Sequence, residues 1–501
     1  MFLEKAVAEV LFNLIFLIGL PCGTGERTLK LGRISAFLLL ILTATLVCGQ
    51  TEPNLETGFK PYGSYHGSDT DSVSLMSGNL TIHIPMGPSY PQRGGRLDKK
   101  DFLVANSKTF SIQTTVNNNG TFNYWTPGGW SPGTLASGDT LEPAISRTYI
   151  RTSENGKVVS RLASGYTLIG WDGAQHPLSV GAQAGSGVLL AAETADATGW
   201  HLDLTAADIY NVPSSGILRD REGNQYVVQF GSDGTGICNT SSNTSTTGFT
   251  SSQTICQQGA GGSQIIDGNG NVFNAVGRSD TLGHVPVFTI GSNFSGPETS
   301  DISGCVSTGG LVLTGSTTLG YPGPGGTTAV VKICYANLTL QTSFGLSGVL
   351  EYPSGFGVPP QPISVAVAIL NADGSKWLLS YDSYGNITSL GLPLGGTISY
   401  QWQTVSFPGC TVTTASRAVS QRTITDNNGN SSTWKYQWLT AQANPLSTNG
   451  TFTNVVTDPE GNDSVHVFTN YGTCSFYETT TQDYQGLQSA ARLLKQVAQT
   501  G

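Results

Sequence analysis

The chain has 501 residues, 38% of them hydrophobic and only 11% charged, with 64 glycines and 23 prolines. That length admits two or three ordinary domains or one extended repeat array, and the low charge with abundant Gly, Ser, Thr and Asn argues against a helical cytosolic enzyme and for short strands joined by tight turns. A formal net charge of -9, with no Lys/Arg-rich stripe interleaved with aromatics, removes any broad surface for nucleic acid.

Residues 1–49 read as a helical hydrophobic leader. The uncharged run Ile34 to Val47 follows Lys30 and Arg33 and precedes the small residues of "CGQ", which is the layout of a secretory signal peptide. An extra apolar segment, Ala6 to Leu20, lies upstream; it leaves open a membrane hairpin or a true start further along. Both runs are short for a span of about 20 residues, so export is expected over a permanent membrane anchor. Lipidation of Cys48 is disfavoured by Val47, because a small residue is required there. Export places Cys238, Cys256, Cys305, Cys334, Cys410 and Cys474 in an oxidising compartment. None forms a C-x-x-C pair, which argues against zinc ribbons; Cys238 with Cys256 is the easiest local pairing, and the connectivity stays open among about fifteen alternatives.

Residues 50–165 form a β-rich region. His83 alternates with Ile82 and Ile84, as on an exposed or half-buried strand face. Tyr124, Trp125, Trp130 and Trp171 have flat faces that could stack on sugar rings, although packing is the commoner use. The string Gly129-Trp130-Ser131-Pro132-Gly133 matches a nucleophile elbow. Pro132, however, has no N–H for an oxyanion hole, and no helical period follows. Residues 166–375 are a variable strand-and-loop region holding four cysteines; "GPGGTT" at Gly323 lacks the Lys-Ser/Thr ending of a phosphate loop. His66, His83, His176, His201, His284 and His466 never fall at metal-ligand spacing, and no catalytic, cofactor or metal residue is assigned.

Five copies of Asp-x-x-Gly-Asn begin at Asp220, Asp267, Asp382, Asp426 and Asp458. Asp accepts backbone N–H bonds two residues on, the middle pair fits a type I turn, and Gly takes the left-handed conformation, so each copy predicts a hairpin connection. After Asp426 comes "TWKYQW", in which Trp434, Tyr436 and Trp438 alternate with polar residues on what should be a one-face-buried strand. "DGNGN" and "DNNGN" begin like EF-hand loops, but Val272 or Ser431 stands at position six and Arg278 or Gln437 at position twelve, so that reading fails.

The phrase "YDSYGNITSL" (Tyr381 to Leu390) resembles the YD-repeat signature of Rhs proteins, and "RSDTLGHVPV" (Arg278 to Val287) resembles a degenerate copy. The segment Pro61 to Gly95 is similar to the one that opens the repeat region in secreted bacterial Rhs-like proteins. The resemblance implies an all-β fold: an extended antiparallel sheet of YD-type hairpins forming a partial shell or barrel, with β-sandwich-like insertions as a variant. Residues 376–484 carry its clearest repeats, and 485–501 read as a truncated tail. By the same resemblance the chain is a non-enzymatic exported scaffold that encloses, presents or contacts, with a C-terminal toxin or effector beyond this sequence as one partner. The irregular spacing of the turns and the missing C-terminal core phrase depart from the family pattern, so self-cleavage is not carried over. A surface carbohydrate-binding or adhesion module, with cell-surface glycans as partners, is the alternative, and a secreted hydrolase comes third.

Overall fold

The computed structural model describes residues 57–498 apart from short internal stretches, the longest covering 280–298. The leader, Cys410, Cys474, Trp171, His284 and the degenerate repeat beyond Ser279 lie outside the described residues. No helix occurs among those described: the fold is all-β, built from large antiparallel sheets.

The five Asp-x-x-Gly-Asn segments share one geometry. In each the Gly N–H donates to the Asp carbonyl and the Asp N–H to the Asn carbonyl, as in Asp382, Gly385 and Asn386 at 3.0 and 2.9 Å. The glycines sit at φ +79 to +85. The Asp carboxylate then accepts the Asn backbone N–H through one oxygen and the Asn side-chain amide through the other, at 2.8 and 2.8 Å for Asp426 and Asn430. These bonds, the side-chain amide first, hold the exposed Asp426 carboxyl below its ordinary value. The carboxylate oxygens are thus turned on the turn's own amides, which is an architectural use of the motif. Four further turns, Gly170–Ala174, Ser245–Phe249, Asn371–Ser375 and Leu392–Gly396, repeat the backbone pattern without the Asp/Asn lock. Glycine at the fourth position is the shared element, because an L side chain resists the left-handed conformation there.

Two of the locked turns belong to an eleven-stranded sheet between Ala144 and Ser279. Its long strand Thr250–Ile266 pairs through its first part with Ala144–Glu154 and through its last part with Gln225–Gln229. The strands between those two neighbours follow as a meander: Lys157–Ile169, Gln175–Gln183, Leu189–Thr194, His201–Ala207 and Pro213–Arg219. The ladder therefore closes on itself as an eight-stranded barrel. A barrel of that size has room for little beyond its own side chains. Ile145, Tyr166, Leu168, Leu178, Leu202, Leu218, Val228 and Ile265 fill it. The insertion anticipated as a sandwich is thus a closed barrel. Buried Arg147 is held by Gln258 Oε1 at 2.9 and 3.0 Å and by the Phe230 ring at 4.1 Å. Cys238 and Cys256 are bonded across its edge hairpin, the pairing favoured from the sequence, and Cys305 is bonded to Cys334.

The other three locked turns belong to a twelve-stranded antiparallel meander from Leu313–Pro322 to Arg492–Ala498. At about 4.8 Å per strand a flat sheet of this size would be far wider than the five-stranded N-terminal sheet that covers it. Yet Val331, Ile333, Leu379, Ile398, Tyr436, Phe452 and Phe476 all join one core with Val73, Leu80, Ile82 and Ile84. The sheet therefore curls, and its concave face is filled by the N-terminal strands Tyr65–Gly67, Asp71–Ser74, Leu80–Pro85 and Asp101–Asn106. Strand Pro362–Leu370 is buried on both faces, since a small sheet holding Phe110 and Trp125 covers its other side.

These sheets cut the chain elsewhere than the composition suggested. A boundary at 165 falls inside strand Lys157–Ile169, and one at 375 interrupts the large ladder just before Lys376–Tyr381. Within the stretch read as a tail, Arg492–Ala498 pairs with Phe476–Gln485 as the last strand of the sheet.

The turns make a direct test. A Cβ on Gly429 meets nothing within 4 Å, whereas one on Gly385 approaches the Gly133 nitrogen at 2.8 Å. Gly429→Ala should cost about 1 to 2 kcal/mol from backbone strain alone, and Gly385→Ala distinctly more, as read by urea denaturation.

Candidate functional site: the charged seam under the curled sheet

The concave face carries polar side chains where a simple strand pattern would place apolar ones. Tyr400, Arg422 and Trp434 form a single cross-strand row, because Tyr400 pairs with Arg422 and Arg422 with Trp434 in register. Opposite them, strand Asp71–Ser74 buries alternate residues, Asp71 and Val73, toward the same core. Asp71 is 1% exposed and Arg422 2% exposed. The two form a bidentate pair, Nε to Oδ2 at 2.5 Å and Nη2 to Oδ1 at 2.7 Å. Tyr400 Oη donates to Oδ2 at 2.9 Å and Ser68 Oγ to Oδ1 at 2.6 Å, so the carboxylate has a full set of donors. The Trp434 ring lies 5.3 Å from the guanidinium carbon. Burial works against the Arg422 charge, but the Asp71 carboxylate outweighs it and raises the guanidinium further above its ordinary value. Burial and the same carboxylate push the Tyr400 hydroxyl well up.

Toward the last strands the seam continues with imidazoles. His66 Nδ1 lies 2.7 Å from Tyr436 Oη, and His466 Nδ1 lies 2.7 Å from Glu478 Oε1. Glu478 also accepts hydrogen bonds from Ser64 and Thr481. Burial disfavours the Glu478 charge, yet these bonds hold its carboxyl below the ordinary value. Asn454 donates to the Leu75 carbonyl at 2.7 Å, tying the fill to strand Thr451–Thr457. At the other end, the Lys108 ammonium is fully buried and donates to Ser77 O, Ser416 Oγ and Arg417 O at 2.7, 2.8 and 2.8 Å. With no carboxylate among these partners, burial lowers its pKa to about 7. Gly78 touches the sheet directly: Val419 N–H donates to its carbonyl, and a Cβ there would sit 2.4 Å from that of Ala418.

The tertiary structure thus assembles His66, His466, Asp71 and Glu478, which are scattered in sequence. Among the described residues no group of three His, Cys, Asp or Glu side chains converges as a metal site. A small crevice, partly open to solvent, is lined by Leu80, Ile82, Leu135, Tyr381, Asn386 and Ile387 among others, with no acid or imidazole in its wall. A usable sequence signal did exist: Asp71 and Arg422 each stand in phase with the apolar residues of their strands, a charge on a buried face that demands a partner.

Of the residues singled out from the sequence, His66, His466, Trp434 and Tyr436 join the seam, whereas Tyr124, Trp125, Trp130, Ser131 and His83 do not. Trp125 is not exposed; it is fully buried and stacked on Phe344 at 3.8 Å, because the small sheet lies against the large one. Tyr124 and Trp130 are half-buried, and the Trp130 indole donates to the Thr134 carbonyl. Ser131 sits exposed before a turn that leads into strand Ala136–Asp139, with no helix after it, so an elbow is excluded. His83 is 8% exposed rather than on an open face, since Phe59 and Phe102 cover the strand's second side. Tyr436 is buried as expected, with Trp434 and Trp438 packed against the same core.

Arg422→Met strands a buried carboxylate and should lower the unfolding free energy by about 3 to 5 kcal/mol, with the double replacement Asp71→Leu plus Arg422→Met recovering much of it; a denaturation cycle reads both. For Lys108 the folded pKa lies below the unfolded 10.5, so between pH 7 and 10.5 the unfolded chain holds the extra proton and stability rises with pH. Lys108→Met should remove that rise, seen by comparing urea midpoints at pH 7 and 9. Comparison with known proteins finds no family model and no curated protein that matches this chain.

Proposed function

We propose that this chain is an exported Rhs-like scaffold, acting through shape and surface rather than through bond-making. The observation that carries the reading is the large ladder: three locked Asp-x-x-Gly-Asn hairpins, one of them inside "YDSYGN", build a sheet that wraps the chain's own N-terminal strands. Two disulfides, Cys238–Cys256 and Cys305–Cys334, agree with an oxidising compartment and with the leader-like residues 1–49. The concave face is occupied by the fill, so enclosing a cargo is the weaker version of the role. Presenting a toxin or effector encoded further along, or contacting another surface, fits better.

The test is expression of the full chain with its own leader in a bacterial host, followed by fractionation and thiol labelling. An exported, disulfide-bonded product that shows no turnover of polysaccharide or ester substrates is the expected result. Cytoplasmic retention with reduced cysteines defeats the reading. Specific capture of one sugar on a glycan array moves the assignment to a surface adhesion module.

A further inference from the structure

Strand Tyr65–Gly67 is the weakest element of the fill. It pairs over only three residues with Asp71–Ser74 and forms the edge of its sheet. Short edge elements open locally at low cost. What keeps it against the curled sheet is side-chain chemistry, and that chemistry titrates. His66 contacts Tyr436 Oη at 2.7 Å, and its ring lies 5.6 Å from Trp434 and 5.7 Å from Tyr436. Next to it, the Ser64 hydroxyl bonds Glu478, which also holds His466.

The groups surrounding His66 come from every layer packed on it. Asp71 comes from the adjacent strand, Arg422, Trp434 and Tyr436 from the middle of the large sheet, and His466 with Glu478 behind it from the later strands. Asp71 is the acidic group acting on it, and that carboxylate is already engaged by Arg422, Tyr400 and Ser68. A proton on His66 would therefore place a second cation beside Arg422 in a largely dehydrated seam, with the opposing carboxylate already committed.

We propose that strand Tyr65–Gly67 is an acid-released latch on the concave face of the large sheet, with His66, set among Asp71, Arg422, Tyr436 and His466, as its sensor. Burial first, then Arg422 and His466, hold its pKa below the ordinary 6.5, and the Asp71 attraction does not offset them. The sign follows from linkage. The open strand binds the proton more readily, so docking is complete above pH 6.5 and weakens as pH falls below it. Loss of the Glu478 charge, held below its ordinary 4.5, would then remove the Ser64 and His466 contacts in a second, more acid step. Release uncovers Trp434 and Tyr436 while the Asp71–Arg422 pair still anchors the next strand. This inference stands apart from the scaffold reading, since it concerns only how the fill is held.

Hydrogen exchange of the full chain tests it. After correction for intrinsic rates, protection of residues 63–67 should hold from pH 7.5 down to about 6.5 and drop below it, by up to about tenfold per pH unit, while the hairpins at Asp426 and Asp458 keep theirs. His66→Asn, which retains an acceptor but takes no charge, should hold protection at both pH values, and His466→Gln should leave the pH response in place. Unchanged wild-type protection at pH 5.5 overturns the latch, as does a pH response that survives His66→Asn or vanishes in His466→Gln. Should the His66 variant not fold, the wild-type imidazole titration by NMR decides: a midpoint below 6.5 supports the sensor and one at or above it overturns the assignment.

Discussion

A carboxylate and a guanidinium separated by 351 residues meet in an interior that excludes water, and the arrangement of the large sheet follows from their need for each other. Neither charge can be buried alone, so Asp71–Ser74 must lie against the sheet in the one register that presents Asp71 to Arg422. A slip of one residue would turn Val73 outward and leave Arg422 unmatched. Such a pair adds little net stability over apolar packing, because desolvation offsets most of the attraction. Its contribution here is to select one docking among several that the apolar residues would tolerate. The Tyr400–Arg422–Trp434 row fixes where along the curl that docking occurs.

Three buried cations show how differently the interior can be balanced. Arg422 has a carboxylate and a ring, and its charge is secured at any pH where the chain is folded. Arg147 in the barrel has neutral acceptors and the Phe230 ring, a workable solution for a delocalised cation. Lys108 likewise has only neutral acceptors, but its compact ammonium can discharge, and burial brings that event near neutrality. The seam is thus fixed at Arg422 and responsive at Lys108 and His66.

The two large sheets solve the edge problem in different ways. The barrel uses one long strand, Thr250–Ile266, to close the ladder and needs nothing inside but its own side chains. The twelve-stranded sheet stays open, and a second layer must cover its concave face. That layer is drawn from the start of the folded region, so the sheet's later strands pack on residues made several hundred positions earlier. Burial fades along the ladder: strand Asp463–Asn470 is mostly buried, Phe476–Gln485 is intermediate and Arg492–Ala498 is wholly exposed. The fill reaches as far as Glu478, and the last strand is held by its backbone ladder and an exposed Gln482–Gln496 side-chain bond.

The strands and their reversals were legible because both are local. Alternation in "TWKYQW" and the Asp-x-x-Gly-Asn words depend on residues within a few positions, where the left-handed glycine and the Asp–Asn lock leave few alternatives. Even so, turns such as Leu392–Gly396 lack the lock and pass unnoticed, since their glycine alone carries the geometry. The all-β class and the hairpins were therefore set by sequence, which favoured the Cys238–Cys256 pairing as the easiest local one without fixing it. Closure of the barrel, curling of the large sheet and the meeting of Asp71, Arg422, His66 and Glu478 were not. Each depends on which faces pair across hundreds of residues, and only packing in three dimensions decides which buried charge finds its partner.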